Sequence, residues 1–204
     1  MRPLEIRNFK IDLRAKIKQA RRELPPEQKA ELDRGVASNV YRLYQYKRCK
    51  KLLIYVSTPI EVDTRKIIEQ AWADGKTVAV PRCITETREM TFHAITSFDE
   101  LMPGAFGVLE PKQDVPELDD MSESLMIVPA FQFDLRGYRL GYGMGYYDRC
   151  MSKFDGPTAG ICYSHDIRYH LPNGRYDRAV DIIVTEKWIR SKKPQADKPW
   201  HKKD

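Results

Sequence analysis

The chain has 204 residues, 42% of them hydrophobic and 31% charged, which is the make-up of a folded protein long enough to bury a sizeable core. No apolar run reaches the ~18 residues a membrane span needs. The four cysteines, at 49, 83, 150 and 162, form no Cys-x-x-Cys pair, which speaks against a disulfide scaffold and a zinc knuckle and for plain reduced thiols.

The net charge of +6 sits at the ends: residues 1–22 carry eight Lys/Arg against two Asp/Glu, residues 186–204 seven against three, and 23–185 is left at −4. A nucleic-acid-binding domain is expected to be basic across its body, and this one is not. The N-terminus has no apolar signal block and contains Glu5, Asp12 and Glu23, unlike an acid-poor transit peptide, so the cytoplasm is the expected compartment.

In chain order, Ile6, Phe9, Leu13 and Ile17 recur at three- and four-residue intervals, predicting an amphipathic helix over 4–22. Pro25 and Pro26 interrupt it and suit the first turn of a second helix running to about Tyr46. From there the texture changes: KLLIYVS (51–57) reads as a buried strand, 64–76 as a helix closed by Gly75, and 77–82 as another strand. Strands are also expected at 90–95, 124–133, 158–163 and 181–185, with a helix after the glycines near 141–145. This alternation predicts a three-layer α/β/α sandwich with a mostly parallel sheet, as one domain over 1–190, followed by a disordered basic tail at 191–204.

The segment RGYRLGYGMGYYDR (136–149) lies between a strand's carboxyl end and a helix's amino end, where open α/β sheets place ligands. Glycines let the backbone approach a phosphate closely, and the amides of a helix start attract anions. Arg136 and Arg139 add positive charge nearby. The Gly-x-Gly-x-Gly spacing is neither the Rossmann nor the Walker pattern, so a strained turn explains these glycines as readily as a phosphate cradle does. Asp148 likewise suits either the helix dipole or a Mg²⁺ ion beside phosphates.

Read as a whole, FDLRGYRLGYGMGYYDR (133–149) resembles the hallmark of the 5-formyltetrahydrofolate cyclo-ligase family, an Arg-Leu-Gly-x-Gly-x-Gly-Tyr/Phe-Tyr-Asp run after an apolar strand and a Phe-Asp…Gly turn. The resemblance runs from about residue 9 to residue 189. FKIDLR is similar to an N-terminal Lys-x-x-x-Arg, giving Lys10 and Arg14 one turn apart on one helix face. VSTPIEVDT is similar to the segment after the first strand, giving Val56 and Glu61. VPR (80–82), LEP (109–111) and the closing Asp-x-x-x-Asp of Asp177 and Asp181 also fall where such sequences have them.

The resemblance implies a fold like that of sugar-phosphate isomerases and CoA transferases. It implies ATP- and Mg²⁺-dependent closure of 5-formyltetrahydrofolate, with or without a polyglutamate tail, to 5,10-methenyltetrahydrofolate; a monomer is the separate expectation. By the same resemblance Lys10, Arg14, Arg139, Leu140, Gly141, Tyr142, Gly143, Met144, Gly145, Tyr146 and Tyr147 line ATP. Val56, Glu61 and the overlapping segment Tyr142–Tyr146 contact the folate, Arg139, Tyr146 and Asp148 act in catalysis, and Asp148 and Asp181 hold the metal, with Asp177 an alternative to Asp181. Some members carry cations at the two variable loop positions. Here those positions are Tyr142 and Met144, so phosphate contacts there fall to backbone amides or Arg139.

Competing readings are a paralogue acting on another substrate, which would have less need of Glu61, and an RNA- or nucleotide-binding module suggested by the basic ends. Ser164-His165-Asp166 is contiguous and so cannot converge as a catalytic triad. His165 and His170 lack a third ligand at metal spacing, and His93 reads as a packed strand residue.

Overall fold

The computed structural model describes residues 3–104 and 107–191, so the tail from residue 192 lies outside the described residues. Helices α1 (Pro3–Glu23), α2 (Pro26–Arg42) and α3 (Tyr44–Arg48) precede strand β1 (Lys51–Leu53) and helix α4 (Arg65–Ala73). Strands β2 (Thr77–Ile84), β3 (Glu89–Ile95), β4 (Leu101–Pro103), β5 (Leu109–Pro111), β6 (Ser124–Pro129), β7 (Gln132–Asp134) and β8 (Arg139–Leu140) follow. Helix α5 (Tyr146–Lys153) then leads to β9 (Thr158–Ile161), β10 (Ile167–Arg168), β11 (Ile182–Val184) and β12 (Ile189–Ser191).

A seven-stranded sheet in the order β12-β11-β9-β6-β1-β2-β3 forms the centre. Its inner strands run parallel, and only the edge strands β3 and β12 are antiparallel to their neighbours. Because successive side chains of a strand point to opposite faces, Leu52 joins a core with α2, α3 and α4. Leu53 joins the other core, with Phe133, Phe154 and Ile183. Both leucines are fully buried, which stabilises the fold by about 1.5–3 kcal/mol per side chain. The expected α/β sandwich with its mostly parallel sheet is therefore what forms.

Two predicted elements are divided. The second helix stops at Leu43, whose extended backbone (ψ 134°) separates α2 from α3 and turns its side chain into the core at 4% exposure. The apolar run 124–133 gives two strands in different sheets. The chain leaves the main sheet after Pro129, and β7 pairs instead with β10 and β8 in a small sheet of its own. Gly75, at φ +73°, closes α4 as the sequence predicts, with its N–H donated to Trp72 O.

The connections run in opposite directions from the middle of the sheet: β1 leads towards β2 and β3, whereas β6 leads towards β9, β11 and β12. That reversal places the loops leaving β1 and β6 on either side of a crevice at the carboxyl ends of the strands, the usual ligand position in open α/β sheets. Helix α1 leans over the same end. Its Leu13 and Ile17 pack with Phe131, Leu140 and Leu171, and Phe9 and Ile60 extend the contact. Among the described residues no helix is long and apolar enough to cross a membrane.

Candidate functional site at the glycine loop

The crevice is lined from three directions. The exit of β1 supplies Glu61, which is 6% exposed. Its Oε2 accepts from the Thr58 N–H at 2.7 Å and the Thr58 hydroxyl at 2.9 Å, so the loop's own backbone orients the carboxylate. Its Oε1 accepts from the Tyr142 hydroxyl, 2.7 Å away across 81 residues of sequence. The Tyr142 ring rests against Phe131 at 4.6 Å between centroids, and Lys18 Nζ stands 5.6 Å from the Phe131 ring and 5.9 Å from that of Tyr142. Burial, and then the charge of Glu61, raise the Tyr142 phenol above its ordinary value, so it is the hydrogen donor of the pair.

The glycine loop supplies the second wall. Arg14 Nε donates to Gly141 O at 2.7 Å, and its guanidinium lies so close to Gly143 that a Cβ there would come within 3.2 Å of Nη2. Gly143 (φ +100°) and Gly145 (φ +78°) both occupy the left-handed region that side chains disfavour. Gly145 is also the N-cap of α5 and has no side-chain cap, so the first N–H groups of that helix face the loop without one. Burial holds the Arg14 guanidinium below its ordinary value.

The third group lies where α5 begins. Arg139 Nη2 and Asp148 Oδ1 are 3.0 Å apart, with the Arg139 side chain 6% and the Asp148 side chain 23% exposed. Arg139 also donates to Arg178 O at 3.1 Å, and Asp148 Oδ1 accepts from the Arg178 N–H at 2.9 Å. Burial lowers the Arg139 guanidinium and the neighbouring charge of Asp148 opposes that shift. Lys10 pairs with Asp177 Oδ2 at 3.3 Å, and the same oxygen accepts from the Gly174 N–H. Lys10 of α1 thus meets Asp177, while Asp148 on α5 is paired with Arg139.

The remaining predicted residues are placed as follows. Asp181 lies just before β11, where its carboxylate accepts from the Thr158 N–H at 2.9 Å and hydroxyl at 2.8 Å. Val56 is sealed in the core at 1% exposure, so any ligand at the strand exit meets its main chain. Leu140 and Tyr146 are buried, Met144 is exposed, and the Tyr147 hydroxyl is buried with no hydrogen-bond partner among the described residues. Arg136, read from sequence as positive charge for the loop, is committed elsewhere. It is neutralised by the fully buried Asp134 at 2.7 Å and tied to Leu171 O, which locks the β7–β8 turn.

Sequence reading missed Arg21. Its side chain is 3% exposed, pairs with Asp166 at 2.8 Å and donates to Ile60 O, Ala130 O and Phe131 O. Burial pulls its guanidinium down, and the charge and hydrogen bonds of Asp166 more than restore it, leaving it above its ordinary value. One residue therefore fastens α1 to the exits of β1 and β6. The signal was spacing: Lys10, Arg14, Lys18 and Arg21 form one stripe along the helix.

His93 is a satisfied core residue, its ring nitrogens 2.9 Å from Val115 O and from Thr91 Oγ1. Asp166 is bound to Arg21 and Ser164 to Glu186, which leaves no triad at 164–166. All four cysteines are free thiols, and burial raises each of them, Cys150 to about 11 and Cys83 to about 12, so none is a ready nucleophile.

Comparison with known proteins gives this geometry a lineage. Residues 6–186 match the 5-formyltetrahydrofolate cyclo-ligase family. The 5-formyltetrahydrofolate cyclo-ligase of Escherichia coli K12 is 30% identical over 174 residues, covering 83% of this chain and 96% of that protein. The mouse enzyme of that name is 29% identical over 198 residues, covering 91% and 98%. Among solved structures, the 5,10-methenyltetrahydrofolate synthetase of Aquifex aeolicus superposes with a TM-score of 0.77 at 33% identity, covering 89% of this chain and 92% of that one. That of Mycoplasma pneumoniae, at 24% identity and a TM-score of 0.70, shares the fold. A match across nearly the whole chain, with the glycine loop, Glu61 and the α1 cations gathered at one crevice, makes this protein an enzyme of the 5-formyltetrahydrofolate cyclo-ligase family.

Proposed function

We propose that the protein closes 5-formyltetrahydrofolate to 5,10-methenyltetrahydrofolate at the expense of ATP, with Mg²⁺ bound alongside the nucleotide. The observation that carries this reading is the juxtaposition of two unlike subsites. One is a nearly sealed carboxylate beside aromatic rings, Glu61 with Tyr142 and Phe131. The other is a cation-lined glycine loop, Arg14 and Arg139 around Gly141–Gly145.

The chemistry explains why both are needed. A formamide oxygen is a poor leaving group, so it first takes the γ-phosphoryl group of ATP, giving a phosphorylated imidate and ADP. Folate N10 then attacks the imidate carbon and gives up its proton to solvent, the C–O bond breaks, and phosphate leaves with the former formyl oxygen. The protein's part in such a transfer is positioning and charge stabilisation. Glu61 accepts from the pterin's amino and ring N–H groups, and the Tyr142 face is available to stack on the pterin. Arg139, Arg14 and Lys10 offset the phosphate charge, and the loop amides after Gly145 bind phosphate oxygens.

The donor set fits Mg²⁺, which commonly takes one or two protein carboxylates and completes its shell with phosphate oxygens and water. Among the described residues no three His, Cys, Asp or Glu side chains cluster into a closed protein metal site. Asp148 is the proposed carboxylate. Asp181 is the second one that the resemblance implies, and proximity favours Asp177, which shares the Lys10 and Arg139 cluster with Asp148. When bound, the ion neutralises phosphate charge as it transfers.

Substrate labelled with ¹⁸O in the formyl group tests the order of events. The expected result is inorganic phosphate carrying the label. Unlabelled phosphate alongside methenyl product would overturn the phosphorylated intermediate.

A further inference from the structure

Glu61 already accepts three hydrogen bonds. Both hydrogen bonds to Oε2 come from Thr58 within its own turn, and Oε1 is held by Tyr142. At 6% exposure the carboxylate has almost no open face through which a pterin's paired N–H donors could approach. Something next to it has to move. Of its neighbours, Tyr55 is 5% exposed and Tyr147 has a buried hydroxyl, so both are held by the core. Thr58 belongs to the turn that presents Glu61.

Tyr142 differs from all of these. It is 47% exposed, it is flanked by Gly141 and Gly143, and its ring touches Phe131 on one side. Gly143 sits at φ +100° and glycine carries no side-chain barrier to changing φ, so the chain can turn at Gly143 while Arg14 keeps its hold on Gly141 O. The Tyr142 hydroxyl also has the chemistry of one of the pterin's two N–H groups, a hydrogen donor aimed at Oε1.

We propose that Tyr142 is a substrate-displaced latch: in the ligand-free enzyme its hydroxyl holds the place on Glu61 Oε1 that a pterin N–H takes, and folate binding turns that hydroxyl off the carboxylate while the ring stays at hand for the pterin. The inference rests on the assignment of Glu61 to the pterin. The latch keeps a buried carboxylate satisfied while the site is empty, since an unpartnered one is costly. It also sets part of the enzyme's folate affinity, because each binding event breaks the Tyr142–Glu61 hydrogen bond.

The test is calorimetric binding of 5-formyltetrahydrofolate, without ATP, to the wild type, Tyr142→Phe and Glu61→Gln. Tyr142→Phe keeps the ring against Phe131 and removes only the competing donor. Hydrogen bonds to charged groups are strong enough for its loss to tighten folate binding about tenfold. A residue with a merely structural role would not give a gain in affinity. Glu61→Gln is expected to weaken binding at least about tenfold. Unchanged or weaker binding in Tyr142→Phe, with Glu61→Gln impaired, overturns the latch and leaves the Glu61 assignment standing. Wild-type affinity in Glu61→Gln overturns the assignment and the latch together.

Discussion

Replacing Arg139 with methionine is expected to lower kcat about 10³-fold, the scale on which an arginine at a transferring phosphoryl group acts. The side chain is 6% exposed, lies 3.0 Å from Asp148 and has its guanidinium 5.9 Å from the centre of the Tyr147 ring, so its position is fixed before any ligand arrives. Preorganisation of this kind is what lets a cation stabilise developing charge without reorganising at the moment of reaction. Methionine keeps the length and apolar stem and removes the charge. Asp148 retains the Arg178 N–H and is partly solvated, so the fold should survive the change. Arg139→Lys separates charge from shape: lysine keeps the charge but lacks the planar fork, and partial recovery is the expected result. Steady-state kinetics together with thermal unfolding check the point. A kcat within about threefold of wild type, against the 10³-fold loss expected, would remove Arg139 from the phosphate subsite.

The largest expected loss of stability comes from a residue that touches no proposed ligand. Arg21→Met leaves Asp166, 5% exposed, as a buried charge without its partner, and frees the carbonyls of Ile60, Ala130 and Phe131. Breaking one half of a buried pair costs about 3–5 kcal/mol, which for a chain of this size lowers Tm by about 10 °C. The pair is also what holds α1 against the exits of β1 and β6, so folate affinity should fall with it. The double variant Arg21→Met/Asp166→Asn removes the orphaned charge, and recovery of about half the loss is expected, on the same scale as the pair itself. A single variant within about 0.5 kcal/mol of wild type, the range of ordinary surface substitutions, would show that the pair is dispensable.

What could be read from sequence and what could not divides along the distance between partners. The Leu13–Ile17 face of α1 and the glycine run are local patterns set by helical period and backbone permissiveness, and they are visible in any short window, whereas Lys10 and Arg14 stand out from an ordinary solvated helix face only through the family resemblance. The parallel sheet was legible because its buried strands are short apolar runs between helices. The break at Leu43 was not, since a leucine pulled out of helical geometry by the core looks like any other leucine. Nor was the exit from the sheet after Pro129, where an unbroken apolar run feeds two different sheets.

The site itself was half legible. Glu61 and Tyr142 were each marked by the family resemblance, but their hydrogen bond spans 81 residues, and no spacing rule announces it. Arg21 and Asp166 are 145 residues apart, and their pairing depends on where α1 crosses the sheet. Arg136 shows the reverse error. In sequence it is a cation beside a glycine loop, and in the fold Asp134 consumes its charge.

The most direct measurement mixes the purified protein with 5-formyltetrahydrofolate, Mg²⁺ and ATP and follows methenyltetrahydrofolate by its ultraviolet absorbance. Product should appear only when ATP is present, with one ADP released per folate closed. A folded preparation that binds ATP and yields no ATP-dependent product would contradict the account.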